Sequence, residues 1–392
     1  MFVHNLNDAN KSNKKTIITI GNYDGFHLGH RFLIDKLNKL SLAHNLKSVL
    51  VTFNPHTKNI ISNKNFKVLT TFNDKVHLAQ FLSIDIICEV SFNKNVKNKS
   101  YEDFINMIID KYNPSIVLFG YDNKIGKNQK GDFEVITKYL KKSNIKVDNC
   151  EAYYNESNKK VTTTAIKENI LNYNIEEANK LLGRNYSLKG KVVKGENRGK
   201  SLGYPTANIE IMSFEQLVPP NGVYSVTLTA NDVKYKSICN IGFCPTIKVN
   251  SSKITLEVHV INKEINLYDK NVVVEFISFI RKEFKFNNEN DLKNQIMKDI
   301  VQVIWKGKIV TDKVIEKYGK NKSDSGSTEA QIALFTGRIN QLNEHLKVNK
   351  KDNSSRRGLM IMVSKRRKLL KYLQRNDIKS YTGLIKKLNI RK

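Results

Sequence analysis

Short apolar runs punctuate the first half of the chain: Thr16 to Ile20, Ser48 to Phe53 and Ser115 to Phe119. Unbroken rather than alternating, such runs predict strands covered on both faces, as in a parallel sheet. Between the first two, Phe32, Leu33, Leu37 and Leu40 recur at helical spacing. Strand–helix alternation predicts a doubly wound α/β sheet over residues 1–185. From about residue 186 the rhythm changes. Leu188–Val193, Val223–Thr229, Tyr235–Ile241, Ile254–Val260 and Val272–Ile280 are strand-like runs between Gly, Pro and Asn turns. They predict a small antiparallel β-barrel. Leu292, Ile296, Ile300 and Val303 then form one stripe of a closing helix, ending this second domain at 305. In residues 306–392 the apolar positions Ile332, Phe335, Ile339, Leu342 and Leu346 return at three and four. A second series (Leu359, Met362, Val363, Leu369, Leu370, Leu373) and a shorter helix, Ile378–Leu388, complete an antiparallel α-helical bundle.

Charge divides along the same boundaries. The net charge is +29 over 392 residues, and the last 87 carry 23 Lys/Arg against 7 Asp/Glu, a net +16. That asymmetry points to a polyanion-binding C-terminal domain. In residues 1–305, at a net +13, solvated surface lysine is the simpler explanation. The four cysteines, Cys88, Cys150, Cys239 and Cys244, form no CxxC and are read as reduced thiols. The first fifteen residues lack an apolar signal core, and no apolar run is long enough to span a membrane. A soluble, cytoplasmic protein is expected, with neither membrane nor DNA as a partner.

The stretch Gly21-Asn22-Tyr23-Asp24-Gly25-Phe26-His27-Leu28-Gly29-His30 lies between the first strand and the first helix. A strand, a Gly-rich turn and a helix start present backbone N–H groups and a helix dipole to phosphate. His27 and His30, three apart, would point the same way and steady charge during adenylyl or phosphoryl transfer. There is no GxxxxGK[ST], so this is not a P-loop. Downstream, Asn54-Pro55-His56 and Gly120-Tyr121-Asp122 each follow a strand, where α/β sheets place ligands. The loop Asn123–Asp132 could cover a ligand. Thr162, Thr163 and Thr164, followed by Lys167, put hydroxyls at a helix N-cap and a cation in its first turn.

GNYDGFHLGH resembles the nucleotidyltransferase signature of bacterial bifunctional riboflavin kinase/FMN adenylyltransferases, and TFNPH, GYDNKIGKNQKGD and VTTTAIK continue the resemblance. It implies ATP and FMN as substrates, FAD and pyrophosphate as products, and attack by the FMN phosphate on the α-phosphorus. His27 and His30 would stabilise the triphosphate, with Gly21, Asn22, Asp24, Gly29, Gly120, Asp122, Thr163, Thr164 and Lys167 around the nucleotide. Asn123, Lys124 and Ile125 replace the family's aromatic and Arg positions, and Lys167 replaces an Arg, keeping charge without the bidentate fork.

In the second domain, Gly195-Glu-Asn-Arg198-Gly199-Lys200 is a Gly-bracketed basic loop able to fold over phosphates. Thr206 and Asn208, two apart on an extended chain, offer two oxygens on one side, a donor set suited to Mg²⁺ with phosphate. Glu257 and His259 share the polar face of Ile254–Val260, and a carboxylate there could accept a hydroxyl proton. Gly203-Tyr-Pro205-Thr206-Ala-Asn208, Gly242…Pro245-Thr246, LEVHV and FIRKEFKF resemble the riboflavin kinase family in order. By that resemblance Thr206 and Asn208 bind Mg-ATP, with Gly195, Arg198, Gly199, Lys200, Gly203 and Pro205 at the nucleotide. Glu257 is the base for the ribityl 5′-hydroxyl of riboflavin, and Arg281 lies near flavin or phosphates. Cys244 stands at a family basic position.

A net +16 over 87 residues favours nucleic acid as the tail's partner. GSTEAQIALFTGRINQLNEHLK, KKDNSSRRGL and SKRRKLLKYLQRNDIKSYTGLIKKLNIRK resemble the small-subunit ribosomal protein family numbered fifteen. The resemblance implies binding to small-subunit ribosomal RNA, read by shape and 2′-OH contacts. Gly326, Thr328, Gln331 and Arg338 would face a minor-groove site. His345, Asp352 and Ser355 would form a junction-fitting turn beside Arg356, with Tyr372 stacking nearby. Only Trp305-Lys306-Gly307-Lys308 separates the enzyme pattern from this one. Two other readings therefore stand beside a bifunctional enzyme with an RNA-binding tail. One is a ribosomal protein carrying a partly inactive flavin enzyme; the other is a joined reading frame of two neighbouring genes.

Overall fold

The computed structural model describes residues 1–62, 66–195, 199, 203–242, 255–261, 263, 265–284, 286, 288–306, 318, 327–348, 353–388 and 390. In chain order the first elements are β1 (Phe2–Asn5), β2 (Thr16–Ile20), α1 (Leu28–Ala43), β3 (Lys47–Asn54), α2 (Thr57–Ile61) and α3 (Phe72–Gln80). Next come β4 (Ile86–Ser91), α4 (Lys94–Lys97), α5 (Tyr101–Tyr112), β5 (Pro114–Gly120), α6 (Phe133–Leu140), β6 (Lys146–Cys150), α7 (Thr163–Leu171) and α8 (Ile175–Leu182). The six strands form one sheet in the order β1-β4-β3-β2-β5-β6, with all neighbours parallel.

Alternation across the pleat explains why the central runs are apolar throughout. Ile18, Val49, Val51 and Val117 face a cluster with Phe104, Ile105 and Ile108 of α5 and Ile136 and Leu140 of α6. Ile17, Leu50, Ile87, Ile116 and Leu118 face Leu33, Ile34 and Leu37 of α1 and Ala79 of α3. Each fully buried Ile or Leu contributes about 1.5–3 kcal/mol. β1, β4 and β6 were not expected from sequence. β1 and β6 are short edge strands with polar residues, and β4 carries Glu89 in an otherwise apolar run.

Six further strands, β7 (Tyr186–Val193), β8 (Thr206–Ile211), β9 (Gly222–Ala230), β10 (Val233–Ile241), β11 (Thr255–Val260) and β12 (Asn271–Arg281), close into a barrel in the order β10-β11-β8-β7-β12-β9. The expected α/β, β and α layers are therefore all present. α9 (Glu289–Lys306) follows, then α10 (Thr328–Val348), α11 (Asn353–Asn376) and α12 (Ile378–Leu388). Packing divides the chain into two compact units. One is Met1–Gly190 with Ile211–Pro220 and Val273–Phe279; the other is Lys191–Glu210 with Asn221–Val272 and Ile280–Lys392. Among the described residues no helix is long and apolar enough to cross a membrane.

Candidate active sites and nucleic-acid face

The turn after β2 is tight: Tyr23, Gly25 and Phe26 all have positive φ, at 47°, 93° and 41°. At Gly25 a side chain would also strike Leu69, 2.8 Å away. The turn delivers His27 to the N-cap of α1, where its Nδ1 accepts a hydrogen bond from the His30 backbone N–H at 3.3 Å. That fixes the proton of the neutral ring on Nε2. The His27 and His30 rings stack with centroids 3.7 Å apart, and the Tyr23 ring meets His30 edge-on at 5.3 Å. Gly29 permits the stack, since a Cβ there would lie 3.2 Å from the His27 ring. Burial first, and then nearby cations, hold His27 down to about 4 and His30 well below the ordinary imidazole value. At neutral pH both rings are uncharged hydrogen-bonding groups.

Asp24 ties three segments together. Its Oδ1 accepts from the backbone N–H of Leu69 (2.7 Å) and Thr70 (3.1 Å), and its Oδ2 pairs with Lys167 Nζ at 2.8 Å. Thr163 donates its hydroxyl to the Asp24 carbonyl at 3.1 Å, while Thr162 caps α7. Lys167 Nζ also lies 3.8 Å from the Phe66 ring centre, and His56 stacks on that ring at 4.7 Å. Asn22 bonds Thr57 at the start of α2, and Gly21 packs against the Tyr23 ring. The structure thus brings Asn22, Asp24, His27, His30, Thr163 and Lys167 together at the carboxyl ends of β2 and β3. Gly120 ends the neighbouring strand β5, and the Asn123 amide ties the following loop to the Ile20 carbonyl. Asp122 and Thr164 face solvent.

Sequence reasoning missed two cations here. Lys75 on α3 is 3 % exposed and donates to Thr52 Oγ1 at 3.3 Å. Its one sequence signal is position, four residues before the buried Ala79 on the face that packs inward. Arg184 reaches the Phe26 carbonyl, and burial followed by the nearby Arg31 guanidinium lowers it to about 10. Nothing in its sequence surroundings marks it.

On the barrel, β8 and β11 are antiparallel neighbours in which Asn208 pairs with Glu257 and Thr206 with His259. Residues directly opposed across an antiparallel pair share a face, so all four side chains project together. Val258 and Ile209 are buried on the opposite face. His259 donates from Nδ1 to the Pro205 carbonyl at 2.8 Å, and Tyr204 meets its ring edge-on. Gly195 lies so close to Asn208 that a Cβ would collide with its side-chain amide, and a Cβ at Gly199 would fall 3.0 Å from Thr206 Oγ1. Gly203 carries a positive φ of 83° at the turn into β8. The half-buried Arg281 forms a two-pronged ion pair with the buried Asp299 on α9, with Nη2 2.9 Å from Oδ2. Its guanidinium therefore anchors the closing helix. Arg198, Lys200, Cys244, Pro245 and Thr246 lie outside the described residues.

In the C-terminal helices, Thr328, Gln331 and Arg338 are half-buried on α10. At helical geometry they fall within about 80° of arc, on one face of the helix. Ile332, Leu373 and Leu384 form a core joining α10, α11 and α12. Tyr372, Arg356 and Arg357 are exposed on α11. Ser355, expected in a turn, instead sits in the first turn of α11, which begins at Asn353. Gly326 and Asp352 lie outside the described residues, as do the side chains of His345 and Ser355.

Family models match in three consecutive segments: FAD synthetase over residues 9–165, riboflavin kinase over 182–304 and ribosomal protein S15 over 311–391. A bifunctional riboflavin kinase/FMN adenylyltransferase of Buchnera aphidicola subsp. Schizaphis graminum is 37% identical over 302 residues, covering 76% of this chain and 95% of the relative. The Bacillus subtilis protein of that description is 31% identical, with 74% of this chain and 92% of the relative covered. For Escherichia coli K12 the values are 27%, 76% and 94%. A crystal structure described as a macrolide-efflux protein from Streptococcus pneumoniae superposes with a TM-score of 0.69 at 24% identity, covering 78% of this chain and 99% of that one. That likeness shows the fold alone. With FAD synthetase and riboflavin kinase segments in succession and a relative 37% identical over 95% of its length, the chain belongs to the bifunctional riboflavin kinase/FMN adenylyltransferase family and carries a ribosomal-protein segment at its C-terminus.

Proposed function

We propose that residues 1–185 transfer the adenylyl group of ATP to FMN, that residues 186–305 phosphorylate riboflavin, and that residues 306–392 bind small-subunit ribosomal RNA. The observation that carries the first assignment is the stacked His27–His30 pair beside the Asp24–Lys167–Thr163 cluster. An FMN phosphate oxygen forms the new bond to the α-phosphorus, the bond to the β-phosphate breaks, and pyrophosphate leaves. The nucleophile is already anionic, so no side chain has to remove a proton. Neutral His27 and His30 donate hydrogen bonds to oxygens whose charge grows as the bond breaks. Asp24 holds Lys167 in place rather than touching phosphate itself.

In the barrel, Glu257 accepts the proton of the ribityl 5′-hydroxyl, whose oxygen bonds the γ-phosphorus while ADP leaves. Thr206 and Asn208 present hydroxyl and amide oxygens on the same face, and Gly195 and Gly199 let the preceding loop approach them where a Cβ would collide. These residues fit Mg²⁺ held together with phosphate oxygens, which would supply charge neutralisation there. Glu257 and Asn208 are cross-strand partners, which keeps base and metal ligand on one surface. The half-buried face of Thr328, Gln331 and Arg338, among exposed basic residues, supports the RNA assignment. The free thiols of Cys88, Cys150 and Cys239 support a cytoplasmic setting.

The test is purified full-length protein with riboflavin, ATP and Mg²⁺. FMN followed by FAD is expected; FMN without FAD would show the sheet site inactive. Immunoblotting with antibody to the C-terminal helix asks whether one chain persists in the cell. A band near 45 kDa is expected, and a band near 10 kDa alone would mean the ribosomal segment exists separately.

A further inference from the structure

Lys75 is buried close to His30, His56 and Asp24 with its bonding incomplete. An ammonium has three N–H donors. The structure gives Lys75 one hydrogen bond, to Thr52 Oγ1 at 3.3 Å, and no carboxylate ion pair among the described residues. The two acids whose charge it feels have other partners. Asp24 bonds Leu69, Thr70 and Lys167, and Glu89 accepts from Asn54 at 2.6 Å. A buried cation left in this state is costly unless something anionic completes it.

The charge arrangement around it leads the same way. Facing Lys75 are Asp24 from the turn, Glu89 from β4, His30 from α1 and His56 ahead of α2. His30 and His56 are held uncharged by burial. Lys167 has its charge matched by Asp24. The stacked histidines thus give hydrogen bonds but no positive charge, while the reaction brings together two phosphate-bearing substrates. Lys75 is placed by the Thr71–Asp74 capping box at the head of α3, in which Thr71 and Asp74 bond each other's backbone N–H groups. That box fixes the first helical turn, so the ammonium is preorganised.

We propose that Lys75 is a phosphate-binding residue of adenylyl transfer, its Nζ contacting a phosphate of FMN or ATP at the reacting end of the site. This rests on the adenylyltransferase reading above. Burial lowers the Lys75 ammonium to about 8, with Asp24 and Glu89 opposing that effect, so the free enzyme loses this charge on the alkaline side of neutrality. Since kcat/KM reports the free enzyme, it should fall about tenfold per pH unit above about 8.

The experiment compares full-length wild type, Lys75→Met and Lys75→Arg for FAD formation from FMN. Riboflavin phosphorylation by the same chain serves as the internal control. Wild-type FAD synthesis tests the underlying reading independently of Lys75. In Lys75→Met, kcat/KM for FAD formation should drop at least 30-fold and the alkaline limb should vanish, with riboflavin phosphorylation within twofold of wild type. Lys75→Arg, which keeps the charge, should retain at least a tenth of the wild-type value. A selective rise in KM for FMN assigns the contact to the FMN phosphate, and one for ATP assigns it to the triphosphate. A loss below threefold in Lys75→Met, an alkaline limb that persists in it, or equal losses in both variants would overturn the proposal.

Discussion

His27 and His30 lie face to face, ring centroids 3.7 Å apart and 16° from parallel, at the first turn of α1. Two imidazolium ions could not rest in that contact; burial lowers both rings, and the neighbouring His27 lowers His30 further. On the proposed reading the pair donates hydrogen bonds to phosphate oxygens. His30→Ala should therefore lower FAD formation by about 10²–10³-fold, the loss typical of one donor to developing negative charge. Riboflavin phosphorylation by the same protein should continue. Parallel assays of the two reactions check this, and loss of both would undo the assignment to separate sites.

Neutral burial also makes the sheet acid-sensitive. His27 and His56 are each pushed down to about 4 by burial, below the ordinary 6.5 of the unfolded chain. Between those values the unfolded chain binds protons that the folded one refuses, so stability is complete above about pH 6.5 and declines as pH falls towards 4. Urea midpoints across that range should show the decline. A His56→Gln variant should flatten it.

Asp24, 2 % exposed, carries two backbone N–H groups and the Lys167 ammonium. Asp24→Asn would leave Lys167 buried without a counter-charge, and breaking such a pair costs about 3–5 kcal/mol. Denaturant unfolding should register a loss of that order. Lys167→Met should cost less, since the Asp24 carboxylate keeps its backbone donors.

Glu257→Gln keeps the shape of β11 but removes the carboxylate opposite Asn208, the proposed base. FMN formation from riboflavin should fall by about 10²–10⁴-fold, the usual contribution of a positioned base. FAD formation from supplied FMN should be unchanged, a split readable by chromatography of the flavins.

Arg338 lies half-buried beside Gln331 and Thr328 on α10. If it meets an RNA phosphate, Arg338→Ala should weaken binding to a small-subunit ribosomal RNA junction and reduce the slope of log affinity against log salt by about one. An unchanged slope would place Arg338 away from the backbone.

What could be read from the residues and what could not differ for identifiable reasons. The strand, turn and helix around His27 and His30 were legible because local pattern alone sets them: an apolar run, a Gly-rich turn and apolar residues at helical spacing. The Thr206–Asn208 and Glu257–His259 faces were legible because a strand's period of two fixes which residues share a side. Lys75 was hidden because an isolated lysine in an amphipathic helix normally reaches solvent; only the packing of α3 against β3 beside Thr52 buries it. Arg281 was expected near the ligands, and the structure shows its guanidinium paired with Asp299 from a helix 18 residues later. The Asp24–Lys167 pair joins residues from opposite ends of the sheet domain, so no local pattern announces it.

The sequence by itself determined the three fold classes, their order and the chemistry available at each motif, since periodicity, turn residues and charge act over a few neighbouring positions. Tertiary structure alone decided which charges are matched, which rings are kept neutral and which cation is buried without an ion pair. Those depend on burial and on groups brought within a few ångströms by the whole fold.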